Sequence, residues 1–420
     1  MIDLKLIRNN PELLKETVKN KKEKTDIDLI LEMDEKKRKL QFDYDNLRSE
    51  QKKISSEIPV MKKAGQDTTE IMEKMKSTAF ELKNMLIALT ETSCILDNLL
   101  LEVPNIPAVG VPVGGEENNL IVRDWGEKQS FDFEPLDQVE LAERNELFDL
   151  KRAAKMSGSG FIVYTGRGAA LERALINFFL DYHINKHGYT ELSAPYIVNR
   201  QTMTGTGQLP KLEDDMYHIN DDDMFLIPTS EVSVTNFYAA EILGYSDLPQ
   251  KFVSYSPCFR REAGSYGKDT RGLQRVHQFN KVEMVRFVHP DESFQALEEM
   301  VNDAEDILQA LGLHYRVVTL ATGDLSFASA KTYDLEVWAP GTGKYLEVSS
   351  VSNFLDFQAR RADIRFRDSD GKVRHLHTLN GSGLATPRSF IALIETWQNE
   401  DGTITVPDVL RPYLKDRIIL

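Results

Sequence analysis

The chain has 420 residues, 41% of them apolar and 9% aromatic, with 51 basic and 66 acidic side chains and a formal net charge of −15 at pH 7. That length implies two or three domains with a sizeable core and excludes wholesale disorder, while the acidic balance on average repels nucleic acid. Two cysteines, Cys94 and Cys258, exclude a disulfide scaffold and a cysteine-built zinc cluster. The start, MIDLKLIRNN, lacks the apolar core of a signal peptide, and no uncharged apolar stretch reaches about 18 residues. A cytoplasmic location with no membrane contact is therefore expected.

Charge divides unevenly along the chain. Residues 1–100 hold 19 basic and 19 acidic side chains, so the whole excess lies in residues 101–420, with 32 against 47. The first hundred residues also carry a distinct pattern. Ile30, Met33, Leu40, Tyr44, Leu47, Ile54, Ile58 and Met61 recur at steps of three and four, with Lys37 and Gln51 in frame. Ile71, Met75, Leu82, Met85, Leu89, Leu96 and Leu99 do the same, with Thr78 and Thr92 in frame. Two heptad seams separated by residues 62–67, a turn-like stretch, predict an antiparallel two-helix coiled coil over about residues 27–100. At 1.5 Å per residue the arm would be roughly 50 Å long. Pro59 predicts a kink or frayed segment near its tip. Lysine clusters at 21–24, 36–39, 52–53 and 62–63 can meet phosphates, but a dimerisation arm or a solvated face would carry them equally well.

The domain boundaries follow. Residues 1–103 form the N-terminal domain, and the Gly/Pro-rich residues 104–160 form a linker and lead-in. Residues 161–420 form a second domain. There the predicted elements are a short strand at 161–164, a helix at 171–187 and a strand at 189–198 interrupted by Pro195. Two strands at 251–262 and 274–288 flank a Gly-rich loop at 263–272. A helix at 291–311 is stopped by Gly312; strands at 315–321, 333–339 and 344–350 and a helix from 388 complete the series. Strands joined directly to strands imply an α+β fold with an antiparallel sheet rather than repeated βαβ units.

No P-loop, GxGxxG fingerprint or HExxH occurs, and Gly341-Thr342-Gly343-Lys344 reads as a hairpin turn. Chemistry concentrates in three clusters. Phe259-Arg260-Arg261-Glu262 precedes Arg271 to Phe279, Lys281 and Glu283. Strand alternation would place Arg260 with Glu262, and Arg275, His277, Phe279, Lys281 and Glu283 together, although a solvated sheet face could look similar. Glu347-Val348-Ser349-Ser350 offers a carboxylate and a hydroxyl suited to Mg2+ with phosphate. Asn380 to Arg388 is rich in small residues, and Pro387 marks a helix start that favours anions near Arg388.

These clusters, in this order, resemble motifs 2 and 3 of the class II aminoacyl-tRNA synthetases, with Pro195 resembling the motif 1 proline. Across essentially its whole length the chain resembles the bacterial-type seryl-tRNA synthetases, including Thr204-Gly205-Thr206-Gly207-Gln208-Leu209-Pro210, Thr229-Ser230-Glu231 and the N-terminal hairpin. The resemblance implies a class II catalytic domain whose central antiparallel sheet is flanked by helices. It implies a homodimer that activates L-serine with ATP and Mg2+, without zinc. Serine would pass to tRNA(Ser), and to tRNA(Sec) where present, with the hairpin gripping the tRNA. It implies Arg260, Glu262 and Arg388 as catalytic residues. ATP would be held by these three with Arg261, Arg271, Phe279, Glu347, Val348, Ser349 and Ser350, and Phe279 and Arg388 would sandwich the adenine. Mg2+ would sit on Glu347 and Ser350. Serine would be held by Thr229, Ser230, Glu231, Glu283 and Ser382. Gln138, Gly160, Ser230 and Ser326 depart from the residues common in that family. A ligase acting on a non-tRNA acceptor, or a non-catalytic RNA-binding relative, would share part of this pattern.

Overall fold

The computed structural model describes residues 1–263 and 271–420. Two compact units make up the chain, Ile2–Pro104 and, apart from Met1, Asn105–Leu420.

The first unit is helical throughout. Helices α1 (Leu4–Asn9) and α2 (Pro11–Asn20) precede α3 (Ile27–Lys63) and α4 (Thr69–Leu101). Asp26 caps α3, its side chain accepting the Leu29 N–H at 3.0 Å. Every position of both predicted seams is buried or half-buried, whereas exposed residues dominate between them. Arg8 on α1 donates to both carboxylate oxygens of Asp34 on α3, at 2.6 and 2.7 Å, and holds that carboxyl below its usual range. Helix α3 continues past Pro59 to Lys63, so the chain does not fray there. Proline removes one N–H, and the carbonyl it leaves without that donor belongs to the exposed Ser55, where water can serve. Helix α4 carries an 18-residue window of mean hydropathy 1.2, so by length and composition alone it is long and apolar enough to cross a membrane. That qualifies the expectation drawn from the sequence; part of the apolarity is the seam packed on α3.

In the second unit the strands in chain order are β1 (Leu120–Trp125), β2 (Thr190–Glu191), β3 (Ile197–Asn199), β4 (His218–Ile219), β5 (Met224–Leu226), β6 (Ile242–Leu243), β7 (Gln250–Phe259), β8 (Gln278–Val288), β9 (Tyr315–Thr319), β10 (Lys331–Ala339), β11 (Lys344–Leu355), β12 (Arg365–Arg367), β13 (Val373–His375) and β14 (His377–Ala385). The helices are α5 (Gln138–Asn145), α6 (Leu150–Ser157), α7 (Gly166–Asn185), α8 (Arg200–Thr206), α9 (Glu231–Thr235), α10 (Ser293–Ala310), α11 (Phe357–Ala362) and α12 (Thr386–Thr396). Eight strands form the main sheet in the order β1-β9-β10-β11-β14-β8-β7-β2. Its neighbours are antiparallel except β2 with β7.

Residues 105–160, read as linker, contribute edge strand β1 and helices α5 and α6. The predicted strand at 189–198 divides at Pro195 into β2 and β3, which belong to different sheets. Residues 161–164 contribute only a bridge from Tyr164 to Phe148. Helix α10 ends before Gly312, whose φ of +67° is costly for any residue with a Cβ.

Helices α7, α10 and α12 cover one face of the sheet and build the main core with residues such as Phe179, Met300, Leu308, Phe390, Val317, Leu335 and Leu379. Strand β8 shows how the two faces separate. Val282 and Met284 point into that core. Val285 and Phe287 enter a smaller cluster on the opposite side, and Phe279, Lys281 and Glu283, of the same parity, line a cavity there.

A Pro59→Ala substitution returns one N–H to α3 and is expected to stabilise the helix by up to ~3 kcal/mol. Slower amide hydrogen exchange over residues 55–63 is the expected observation; unchanged exchange would contradict it.

Candidate active site

The cavity measures about 610 Å3. Its floor comes from three adjacent strands: Phe279, Lys281 and Glu283 of β8; Asn380, Ser382 and Ala385 of β14; and Glu347, Ser350, Ser352 and Phe354 of β11. Strict alternation would turn Glu347 and Ser350 to opposite faces. A bulge on β11 prevents this: Leu335 pairs with Ser349 and Glu336 with Glu347, which leaves Val348 as the extra residue. A second register break, between Ser382 and Ala385, keeps both of those on the cavity side.

One end of the floor is acidic and buried. Glu283 pairs with Lys281. Thr229 donates to Glu283 at 3.3 Å and accepts the Glu231 N–H at 3.1 Å. Glu231 takes a 2.7 Å hydrogen bond from Gln358. Burial, then the negative charge of Glu283, push its carboxyl up to about 7 against the opposing effects of Gln358, Lys281 and Asn380. Two carboxylates and one lysine leave this corner short of positive charge.

The other end carries arginines. The Arg260 guanidinium lies 5.1 Å from the centre of the Phe279 ring, and its Nε donates to the Pro228 carbonyl at 3.4 Å. Glu262 pairs with Arg275. Arg388, in the first turn of α12, donates to the Glu347 carbonyl at 2.9 Å, to its carboxylate at 3.1 Å and to the Gln274 carbonyl at 3.2 Å. Asp334 of β10 lies opposite Ser350 in register, and its Oδ1 has no hydrogen-bond partner among the described residues. Burial and then Glu347 raise its carboxyl well above the usual range. Asp334, Ser350 and Glu347 are oxygen donors of the kind a hard divalent cation takes, but among the described residues no group of three or more acidic, histidine or cysteine side chains is placed to hold a metal ion.

The structure brings together Arg260, Glu262, Phe279, Glu347, Val348, Ser350, Arg388, Thr229, Glu231, Glu283 and Ser382 around the cavity. Four expected residues do not line it. Arg261 is exposed beyond β7, and its N–H bonds the Asp215 carbonyl at 2.9 Å. Arg271 is 60% exposed and pairs with Asp137 at 2.7 Å. Ser349 is buried, donating to the Ser382 carbonyl at 2.6 Å, and Ser230 donates to the Ser254 carbonyl at 3.3 Å. Arg260 and Glu262 share the cavity as expected, but not through strand alternation. Strand β7 ends at Phe259, the chain is drawn aside by hydrogen bonds from Arg261 and Ala263 to Asp215, and Glu262 has φ +51°. His277 precedes β8 and turns away to pack on Phe161, 5.3 Å between ring centres. Of the loop expected at 263–272, only Ala263, Arg271 and Gly272 are described.

Gln138 is buried and bridges the far stem of that loop, donating to the Arg271 carbonyl at 3.2 Å and accepting the Leu273 N–H at 2.9 Å. At Gly160 an added Cβ would lie 2.5 Å from the His277 ring. Asp334, Asn380 and Gln358 had no assigned role. Asp334 alternates with Tyr333 and Leu335 as an ordinary polar strand position would, and Gln358 lies on a short helix, so neither carried a sequence signal.

Residues 1–107 match the family described as "Seryl-tRNA synthetase N-terminal domain", and residues 211–397 match "tRNA synthetase class II core domain (G, H, P, S and T)". A serine–tRNA ligase of Caldicellulosiruptor saccharolyticus is 52% identical over 420 residues, all of both chains. The chain belongs to the seryl-tRNA synthetase family. Among solved structures, the seryl-tRNA synthetase of Pyrococcus horikoshii complexed with ATP superposes with a TM-score of 0.93 at 39% identity, covering 100% of this chain and 99% of that one. The cytoplasmic serine–tRNA ligase of Naegleria fowleri in complex with AMP superposes at 0.88 with 29% identity, covering 100% and 98%. Seryl-tRNA synthetase membership accounts for both the α-helical hairpin and the antiparallel core.

Glu231 yields a pH prediction. Its folded-state value lies above the ordinary 4.5, so its contribution to stability is complete below about 4.5 and is lost as pH rises toward about 7. Glu231→Gln lacks this loss. Its melting temperature relative to the wild type should therefore increase between pH 5 and pH 8; an equal difference at both pH values would contradict the burial of an acid here.

Proposed function

We propose that the cavity binds L-serine and ATP side by side and that the chain is a serine–tRNA ligase acting on tRNA(Ser), and on tRNA(Sec) where present. The observation that carries this reading is the polarity of one cavity: buried carboxylates short of positive charge at one end, arginines at the other. Glu231 and Glu283 would take the substrate ammonium and hydroxyl, with Thr229 and Ser382 beside them. Burial makes that recognition selective, because an analogue lacking the hydroxyl leaves polar groups unpaired.

The serine carboxylate is already ionised at neutral pH (α-carboxyl near 3.5), so activation needs no general base. Its oxygen attacks the ATP α-phosphorus, the bond to the β-phosphate oxygen breaks, and pyrophosphate leaves. In-line placement and charge stabilisation are what the protein must supply. Arg260 would hold the α-phosphate and Arg388 would border the adenine opposite Phe279. Glu262 would meet the base, and Arg271 the terminal phosphates from the rim. Mg2+ held by Glu347 and Ser350 on the ATP phosphates would neutralise leaving-group charge. A ribose hydroxyl of the tRNA end then displaces AMP from the seryl-adenylate. The N-terminal hairpin would grip the tRNA, and the active form would be a cytoplasmic homodimer using the exposed edge at β2 and Pro195.

Serine-dependent ATP–pyrophosphate exchange tests the first step and tRNA charging the second. Wild type should do both; a chain without residues 27–100 should keep exchange and lose most charging. Equal charging by the truncated chain would defeat the hairpin's role, and exchange without charging by wild type would point to a non-tRNA acceptor. Arg260→Ala should lower exchange by about a hundredfold or more; near-normal exchange would refute its phosphate role.

A further inference from the structure

Helix α11 lies beside the cavity rather than in its floor. Its second residue, Gln358, is fully buried. The side-chain nitrogen donates to the Glu231 carboxylate at 2.7 Å and to the Thr206 carbonyl at 3.2 Å. Its oxygen accepts from the Thr378 hydroxyl at 2.7 Å. A carbonyl can only accept, so the Thr206 contact fixes which end of the amide is nitrogen. Both amide hydrogens are then committed, one to Glu231 and one to the backbone that leads into Gly207 and Gln208 of the cavity wall.

Arg361, one turn further along α11, supports the same stretch of chain. It donates to the Thr204 and Leu209 carbonyls at 3.3 and 3.1 Å. Its guanidinium sits 4.8 Å from the Phe357 ring centre. Helix α11 thus clasps residues 204–209 on either side of Thr206. Glu231 is attached to this clasp through a single amide.

We propose that Gln358 is a positioning residue for serine recognition, whose amide fixes the Glu231 carboxylate and the wall at residues 204–209 in one relative placement. By occupying Oε1 it leaves the other oxygen of Glu231 for the ligand. Gln358 touches neither the ATP end of the cavity nor the reacting atoms, so its loss should weaken serine without weakening ATP. The inference rests on Glu231 being a serine-binding carboxylate.

Exchange kinetics on full-length Gln358→Met and Thr378→Val separate this from a purely structural role. A hydrogen bond to a charged group is lost in Gln358→Met, so KM for serine should rise about tenfold or more, with KM for ATP changed less than about twofold. Thr378→Val removes only the hydroxyl that holds the amide in place and should raise KM for serine in the same direction, by less. If Gln358→Met does not fold, Thr378→Val alone decides. An unchanged KM for serine in the folded variants overturns the assignment. Parallel rises in both KM values that track a fall in melting temperature also overturn it, leaving a packing role. Absence of serine-dependent exchange in the wild type would instead overturn the functional reading beneath it.

Discussion

Two carboxylates buried within one cavity, with a single lysine between them and neutrality, constrain everything around them. Glu231 and Glu283 cannot both ionise cheaply out of water. Lys281 answers Glu283, while Gln358, Thr229 and Asn380 supply neutral donors. The remaining charge is carried by a carboxyl held near the pH at which it would titrate. On the proposed reading an amino acid's ammonium would complete this corner and direct its carboxylate elsewhere.

The sheet supplies the directionality. Antiparallel strands β8, β14 and β11 lie side by side, so residues of one parity form a floor while the other parity anchors the helices behind it. Two register breaks change that parity locally. They bring Glu347 and Ser350 to the same side and allow β14 to pass from Ser382 into the arginine-bearing start of α12. The acid corner and the arginine end therefore share one rigid support. That is the requirement for holding a nucleophilic carboxylate in line with a phosphorus atom.

Much of this was legible in the sequence because it depends on period. The heptads at Ile30 to Met61 and Ile71 to Leu99 mark which side chains are covered, and period two along β8 puts Phe279, Lys281 and Glu283 together. Placement failed where a local hydrogen bond overrides period. Asp215 draws the chain aside after Phe259, so Glu262 reaches the cavity by a turn rather than a strand, and Arg261, expected there only through the resemblance, faces solvent. Asp137 and Gln138 fix Arg271 at the rim. The bulge at Val348 cannot be read from composition, nor can Ser349 and Ser230 be told from their cavity-facing neighbours. At Pro59 the helix continues because the exposed Ser55 carbonyl tolerates the loss of its partner. Supporting residues such as Gln358 leave no periodic trace at all.

The charge division has a physical consequence. The acidic excess lies entirely outside the first hundred residues, which are neutral overall and bear lysine clusters. An acidic body discourages indiscriminate contact with RNA, whereas a neutral N-terminal unit does not. The same sign of charge, concentrated and buried, defines the corner proposed to take the serine ammonium. Calorimetric titration with a non-hydrolysable seryl-adenylate analogue near pH 7, repeated in buffers of different ionisation enthalpy, addresses that corner directly. If the ligand ammonium completes it, Glu231 ionises on binding and part of a proton is released per site. Heats independent of the buffer would show that no carboxyl changes state, and would contradict a corner left short of positive charge.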